Sequence, residues 1–589
     1  MRFSLFYEHQ LPRPWTQDSE RRLLEDALEQ IVVAERAGFD CIWEVEHHFL
    51  EEYSHSSAPE VFLAAASQRT ERIRLGHGIV QLPAGINHPA RVAERIATLD
   101  LVSGGRVEFG SGEGSSGAEL GGFLVDRADK HAQWEDSLDA VTRMFVEKPF
   151  AGWDSEFMRM PPRNVVPKPL QKPHPPLWVA CSRRETIHLA ARKGIGALSF
   201  SFVEPEDAGK WVHEYYELIA SEECVPAGFA VNPNVAVVLP MMCHRDEAEA
   251  IERGIDGAHF FGYSLAHYYG GADHAPGLTD VHAEFLNRRD QTGFARDAIT
   301  AEDAPLAVRL MQHDVGSLRG AIGTPEQIVD LVRRYESVGV DEVGLVLQAG
   351  DNAHEHVCAS LELFGSEVIP RFAEGREERE AAKAERLAPA IEAALARREP
   401  PREAPPGYTI DETAELERAR KARRRALLAP RDLTGRLRDQ LRDGIRRRAQ
   451  AALARFVDGA SDREVERRFG RPAAQRALLA GMARSFDPRM SAGFEGDIEY
   501  ELTRGANGAG AGPTPGDRWT VRVEGESARV VPGPGDDPAV RLRIGLADFV
   551  RIAAGESPAR AFLEGRVELE GDIAVARRMN EMFGGQSPY

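Results

Sequence analysis

Cysteine is scarce. The 589 residues contain five, at 41, 181, 224, 243 and 358, and no two form a CxxC pair. That spacing offers neither a zinc site nor a disulfide framework, and it fits a reducing cytoplasm. Positive charge is also short: 73 Lys and Arg against 93 Asp and Glu leave a formal charge of −20, which argues against non-specific nucleic-acid binding. Long apolar runs are missing: no stretch of eighteen or more uncharged apolar residues, the length of a membrane span, appears. The opening MRFSLFYEHQLPRPW lacks the apolar core of a signal peptide. Basic clusters at Arg420–Arg425 and Arg446–Arg448 have no interleaved aromatics and sit among acids, so they read as solvated linker.

What is present is an ordinary globular composition, 42% hydrophobic and 28% charged, on a chain long enough for one large barrel plus a smaller unit. Apolar runs alternate with helical periodicity. Strands are expected at 2–7, 41–49, 73–81, 107–112, 177–181, 197–201, 235–242 and 342–348. Helices are expected at 18–37, 59–68, 89–102, 131–145, 184–193, 207–221, 324–338 and 360–372. This alternation predicts an α/β fold, a closed (β/α)₈ TIM-type barrel over 1–372. A Pro-rich excursion (147–176) and a polar and aromatic stretch (258–315) interrupt it. A charged, partly helical linker is expected at 373–459, and a small α+β domain of alternating strands at 460–589.

Active sites of such barrels sit at the carboxyl ends of the strands. The second strand ends abruptly in titratable groups, Glu46, His47 and His48. Side chains alternate along a strand, so both histidines can enter one pocket only if the chain has already left it. One is then catalytic or ligand-binding and the other supporting, against the alternative of two rim histidines on a surface loop. After the fourth strand, the run Gly110-Ser111-Gly112-Glu113-Gly114-Ser115-Ser116-Gly117 lets backbone approach a flat ring or a phosphate. After the fifth, Ser182, Arg183, Arg184 and Thr186 stand at a helix start, where free N–H groups, hydroxyls and charge favour an anion.

The ordered phrases WEVEHHF, Ser57-Ala58-Pro59, RIRLGHGIVQLP (72–83), HPARVAERIATLDLVSGGRVEFGSGEG (88–114) and Glu119 resemble the bacterial luciferase-like flavin monooxygenases over most of the first ~370 residues. The tail, with AAGESPARAFLEGRVELEGD at its centre, resembles a sterol-carrier-like lipid-binding domain in which a sheet and helices surround an apolar tunnel. The resemblance implies a monooxygenase that takes reduced FMN from a separate flavin reductase and uses O₂ to oxygenate an organic, lipophilic substrate, with a homodimer as the expected assembly. It implies His47 as the base, with Glu46 and His48 supporting it. It places the flavin along Gly112, Gly114 and Ser115, its phosphate at Ser182, Arg183 and Thr186, and a non-proline cis peptide at Gly78–Ile79. Glu113 departs from the family, which often has a basic residue there. The alternatives are a deazaflavin-dependent dehydrogenase or reductase on the same barrel and a non-catalytic lipid carrier.

Overall fold

The computed structural model describes residues 1–181, 184–199, 205–269, 273–288, 320–413, 415–417, 420, 453–486, 491, 494–504, 517–525, 527–556, 558, 561, 565–572, 575–576, 579 and 582–583. The chain divides into two compact units, Met1–Glu403 and Ala404–Ser587.

In the first unit eight parallel strands close on themselves. They are β1 (Arg2–Tyr7), β2 (Cys41–Glu44), β3 (Arg74–His77), β4 (Val107–Gly112), β5 (Leu177–Cys181), β6 (Gly196–Ser199), β7 (Val235–Cys243) and β8 (Glu342–Val346). Closure comes from β7, which pairs with β6 through Val235↔Ala197 and with β8 through Ala236↔Glu342, while β8 pairs with β1 through Arg2↔Glu342. The expected barrel is therefore the observed one. Strand alternation divides the apolar side chains between two cores. Phe3, Leu5 and Tyr7 face the helical layer, whereas Phe6, Trp43, Trp178, Leu198, Val238 and Val346 fill the barrel. Gly76 makes room for the Trp43 ring, because a Cβ there would lie 2.3 Å from it.

Helix ends follow their sequence signals. Gly38 closes Ser19–Ala37 at φ 96°, and Thr324 forms a capping box with Gln327 ahead of Pro325–Ser337. Several details differ from expectation. The second strand stops at Glu44, so the histidines lie beyond it. The third breaks after His77 and resumes as the short strand Val80–Gln81. The stretch expected to interrupt the alternation begins inside a helix, Glu247–Tyr269, and contains a second, Val281–Arg288, while its part from 289 on lies outside the described residues.

The helix Arg376–Arg397 belongs to the first unit, past the Phe372 at which the sequence reading ends the barrel. Arg376 pairs with Asp40 at 2.9 Å, Arg379 with Glu336 at 3.1 Å, and Lys383 with Asp341 at 2.5 Å and the Asn234 amide oxygen at 2.8 Å. Asp40, Asn234 and Asp341 immediately precede β2, β7 and β8. The helix thus crosses the amino-terminal face of the barrel, opposite the strand ends that carry His47. The basic clusters within 421–452 lie outside the described residues.

In the second unit five strands are ordered Ser527–Pro532, Arg518–Glu524, Gly496–Thr503, Val540–Gly545 and Val567–Gly571. Ile498, Leu502, Val521, Val540 and Phe549 are among its apolar core. A groove of about 350 Å³ on this unit is lined by Glu501, Arg518, Arg541, Arg543, Glu568 and Glu570, so it is not the apolar tunnel that the resemblance implies. Among the described residues no helix is long and apolar enough to cross a membrane.

Candidate active site

Having left the strand at Glu44, the chain can turn neighbouring residues into one cluster, which resolves the alternation problem. His47 Nδ1–H donates to Glu119 Oε1 at 3.0 Å. On the ring's other side, Nε2 lies 3.5 Å from Glu8 Oε2 and 3.4 Å from the Tyr269 hydroxyl. The ring packs among Tyr53 and Tyr269. His48 diverges: its Nε2 lies 3.3 Å from Glu46 Oε1, and Phe123 stands edge-on to its ring.

Buried carboxylates organise the rest. Glu119, on the short helix Gly117–Gly122, also accepts from the His48 amide (3.0 Å) and Gln81 Nε2 (2.6 Å). Glu46 accepts from the Gln81 amide (2.7 Å) and Asn87 Nδ2 (2.8 Å). These bonds lash the loop after β2 to the ends of β3 and β4.

The charges fix the proton on His47. Burial alone disfavours the imidazolium, but Glu119 and Glu8 more than reverse this and hold it up at about 9. Burial pushes Glu8 up to about 7, with His47 and the Tyr53 hydroxyl pulling the other way. His47 is therefore an imidazolium at neutral pH. Its first act can only be to donate.

The residues expected along a cofactor fare differently. A Cβ on Gly112 would meet the Ile79 side chain at 2.7 Å, so the missing side chain there makes room for Ile79. Gly114 has φ 68°, which a side chain resists, and Ser115 is exposed beside it. Gly78–Ile79 is not cis: among the described residues the cis bonds all precede proline. The Gly78 amide donates to the Glu44 carbonyl at 2.7 Å, and the Glu46 amide donates to that of Ile79 at 3.1 Å, which ties both residues to β2 with an ordinary trans peptide. Thr186 stands apart beside Cys181, at the start of the helix Arg184–Arg192, and Arg184 is committed to Glu214. Ser182 and Arg183 lie outside the described residues.

Glu113 turns onto Lys130 and His131, at 3.1 Å each. Although burial opposes ionisation, these partners hold its carboxyl down at about 2. Lys130 also donates to the Gly114 carbonyl at 2.7 Å. The departure from the family pattern thus brings a neutralising cation with it.

A flavin suits this cluster on one observation. Glu119 Oε2, Gln81 Oε1 and Glu8 Oε2 are buried acceptors without a hydrogen-bond partner. Unmet acceptors are costly in a protein interior. A reduced flavin offers ring N–H donors of the kind they lack.

Glu8, Gln81, Tyr53 and Tyr269 carry no role in the sequence reading, and Glu119 appears there only as part of a motif. Glu8 did leave a signal, since an acid directly after the apolar run RFSLFY repeats the pattern of Glu44 and Glu46 at the end of β2 and just past it.

Comparison with known proteins agrees with this geometry. The luciferase-like monooxygenase family model matches residues 1–342, and the SCP-2 sterol transfer family matches 489–584. The oxygenase component of a flavin-dependent trigonelline monooxygenase from Acinetobacter baylyi is 25% identical, across 64% of this chain and 98% of that protein. Limonene 1,2-monooxygenase from Rhodococcus erythropolis is 28% identical, across 61% and 84%. The crystal structure of monooxygenase RslO1 from Streptomyces bottropensis shares the fold at a TM-score of 0.50 and 23% identity, across 63% of this chain and all of that one. With its first 342 residues matched by one family model and a carboxylate-bound histidine at the mouth of a closed parallel barrel, this chain belongs to the luciferase-like monooxygenase family and is an oxidoreductase.

Proposed function

We propose that the barrel is the oxygenase component of a two-component system, taking reduced FMN from a separate flavin reductase and using O₂ to oxygenate an organic, lipophilic substrate. The observation that carries this reading is the seat of His47, hydrogen-bonded to Glu119 and standing 3.5 Å from the Glu8 carboxylate. The "oxygenase component" of the trigonelline relative supports a reductase partner.

Reduced FMN, when bound, supplies the two electrons with which one atom of O₂ reaches the substrate and the other leaves as water. The chain's own residues do the rest. Gly114 and Ser115 would hold the ring along the loop after β4, with Gln81 and Glu119 as acceptors for ring N–H groups, and Thr186 would serve the phosphate end together with Ser182 and Arg183. His47 holds a proton at Nε2 that it can release. Glu119 fixes the ring through Nδ1, and Glu46 with His48 holds the loop in place. Tyr53, Tyr268, Tyr269 and Phe261 pack around this point, and such walls exclude water from charges that must act in a dry site.

The test is to load purified protein with FMN, reduce it, and follow oxygen uptake with lipophilic substrates. Product formation matched to oxygen consumed is expected. Purified protein whose bound cofactor has a deazaflavin spectrum, with no oxygen-dependent product, would overturn the reading.

For the tail we propose supply of a poorly soluble substrate. A tethered module can raise local concentration toward the millimolar range when tether length matches the span. Truncation after Glu403 keeps the helix Arg376–Arg397 on the barrel. It is expected to raise the apparent KM for a lipophilic substrate severalfold and to leave a small soluble analogue unaffected. Equal kinetics on both substrates would rule out supply.

A further inference from the structure

Glu8 is the group in this cluster that the mechanism above leaves without a task. It follows β1 and is buried, 2% exposed. The Tyr53 hydroxyl donates to Oε1 at 2.9 Å, while Oε2 has no hydrogen-bond partner and lies 3.5 Å from His47 Nε2. His47 is therefore flanked by a carboxylate on each ring nitrogen, and the two are not equivalent. Glu119 Oε1 accepts three N–H donors, from His47, the His48 amide and Gln81. The Glu119 oxygen that faces the ring is thus already engaged by three donors, whereas Glu8 Oε2 is open. Glu8 has one hydroxyl donor and deep burial, which leaves it the readier acceptor.

We propose that Glu8 is the proton-exchange partner of His47. The Nε2–H bond breaks, its electron pair stays on nitrogen, and an O–H bond forms at Glu8 Oε2. A neutral imidazole results, with Nε2 free to act as a base toward the substrate, and Glu8 becomes a neutral carboxylic acid. The reverse transfer resets the pair. The proposal rests on the reading of His47 as the proton-holding group of the site. It also reconciles two otherwise opposed statements about that residue: it is protonated at rest, yet a base is needed.

The position of Glu8 near neutrality, raised by burial to about 7, agrees with a group that can hold either state. Other titratable groups act on the pair from every side. Glu44 and Tyr53 come from β2 and its loop, Glu46 from the same loop, Glu119 from the helix after β4, and Tyr269 from Glu247–Tyr269. None of these offers an unpartnered oxygen as near to Nε2 as Glu8 does.

The test is an NMR titration of the full chain with ¹⁵N-labelled histidine, the His47 signal being the one lost in His47→Ala. Glu8→Gln keeps an oxygen for Tyr53 and removes the charge. It is expected to lower the His47 midpoint by about one to three pH units, and the pH profile of product formation should move the same way. Glu8→Asp, which retains a carboxylate, should lower it by less, and it carries the test alone if the glutamine variant fails to fold. A His47 midpoint unchanged in the folded variant would overturn the proposal. Failure of the underlying reading looks different: His47→Ala would remain fully active while the midpoint shift in Glu8→Gln persisted.

Discussion

Replacing His47 by alanine is expected to reduce product formation by about two to four orders of magnitude, the usual scale for losing a general acid or base, with FMN affinity changed only a few-fold. The ring donates a hydrogen bond to Glu119 and stands 3.5 Å from Glu8, so its removal takes a cation from between two buried carboxylates and leaves the loop after β2 held by Glu46 and the His48 amide. The pH dependence follows from the same contacts. The folded value is raised from 6.5 to about 9, so the stability that His47 contributes is fully present below 6.5 and is lost as pH rises through about 9. Wild type and His47→Ala should therefore differ most in unfolding free energy at low pH and converge above 9. Turnover that needs the resting imidazolium should fall through the same window. Unchanged coupling of flavin oxidation to product in the variant would sink the role assigned to His47.

Much of the barrel was legible because parallel strands buried on both faces are continuous apolar runs separated by amphipathic helices. The helix Glu247–Tyr269 was not, for a physical reason. Its second half, Ala258–Ser264, is buried without interruption, which erases the 3.6-residue alternation by which a surface helix is read. The helix Arg376–Arg397 misled in the opposite direction. Its Glu, Ala and Arg content reads as solvated tether, yet four of its cations meet carboxylates or carbonyls on the barrel base, including Arg397 on Ser221 and Cys224 at 2.9 Å each.

In the site, the histidines were visible as titratable groups at a strand end. The partners that define His47 come from positions 8, 53, 119 and 269, and closeness between such distant positions is set by barrel closure rather than by any local pattern. Gly112 shows a second limit of local pattern. A glycine beside a ligand and a glycine beneath an isoleucine look the same in sequence, and only the Ile79 side chain distinguishes them.

The second large effect is on stability and concerns the barrel interior. Trp43 is fully buried, stands edge-on to Trp178 at 5.1 Å, and donates its indole N–H to Glu342 at 2.7 Å. Burial raises the Glu342 carboxyl above its ordinary range even though Arg2 and this indole pull it down. Trp43→Ala is expected to destabilise the barrel by roughly 3–5 kcal/mol, the scale for emptying a large aromatic from a core that cannot collapse. Trp43→Phe isolates the other contribution, because it keeps most of the ring but strips a buried carboxylate of its donor, at about 1–3 kcal/mol. Gly76→Ala attacks the same contact from the opposite side, forcing a methyl to 2.3 Å from the indole in a ring already wedged against Trp178. Denaturant unfolding of the full chain should be followed through the barrel transition, since two units need not unfold as one. If Trp43→Phe costs as much as Trp43→Ala, the hydrogen bond to Glu342 rather than ring volume holds this layer. If neither moves the midpoint, the packing of Trp43 over Gly76 does not limit the stability of the barrel.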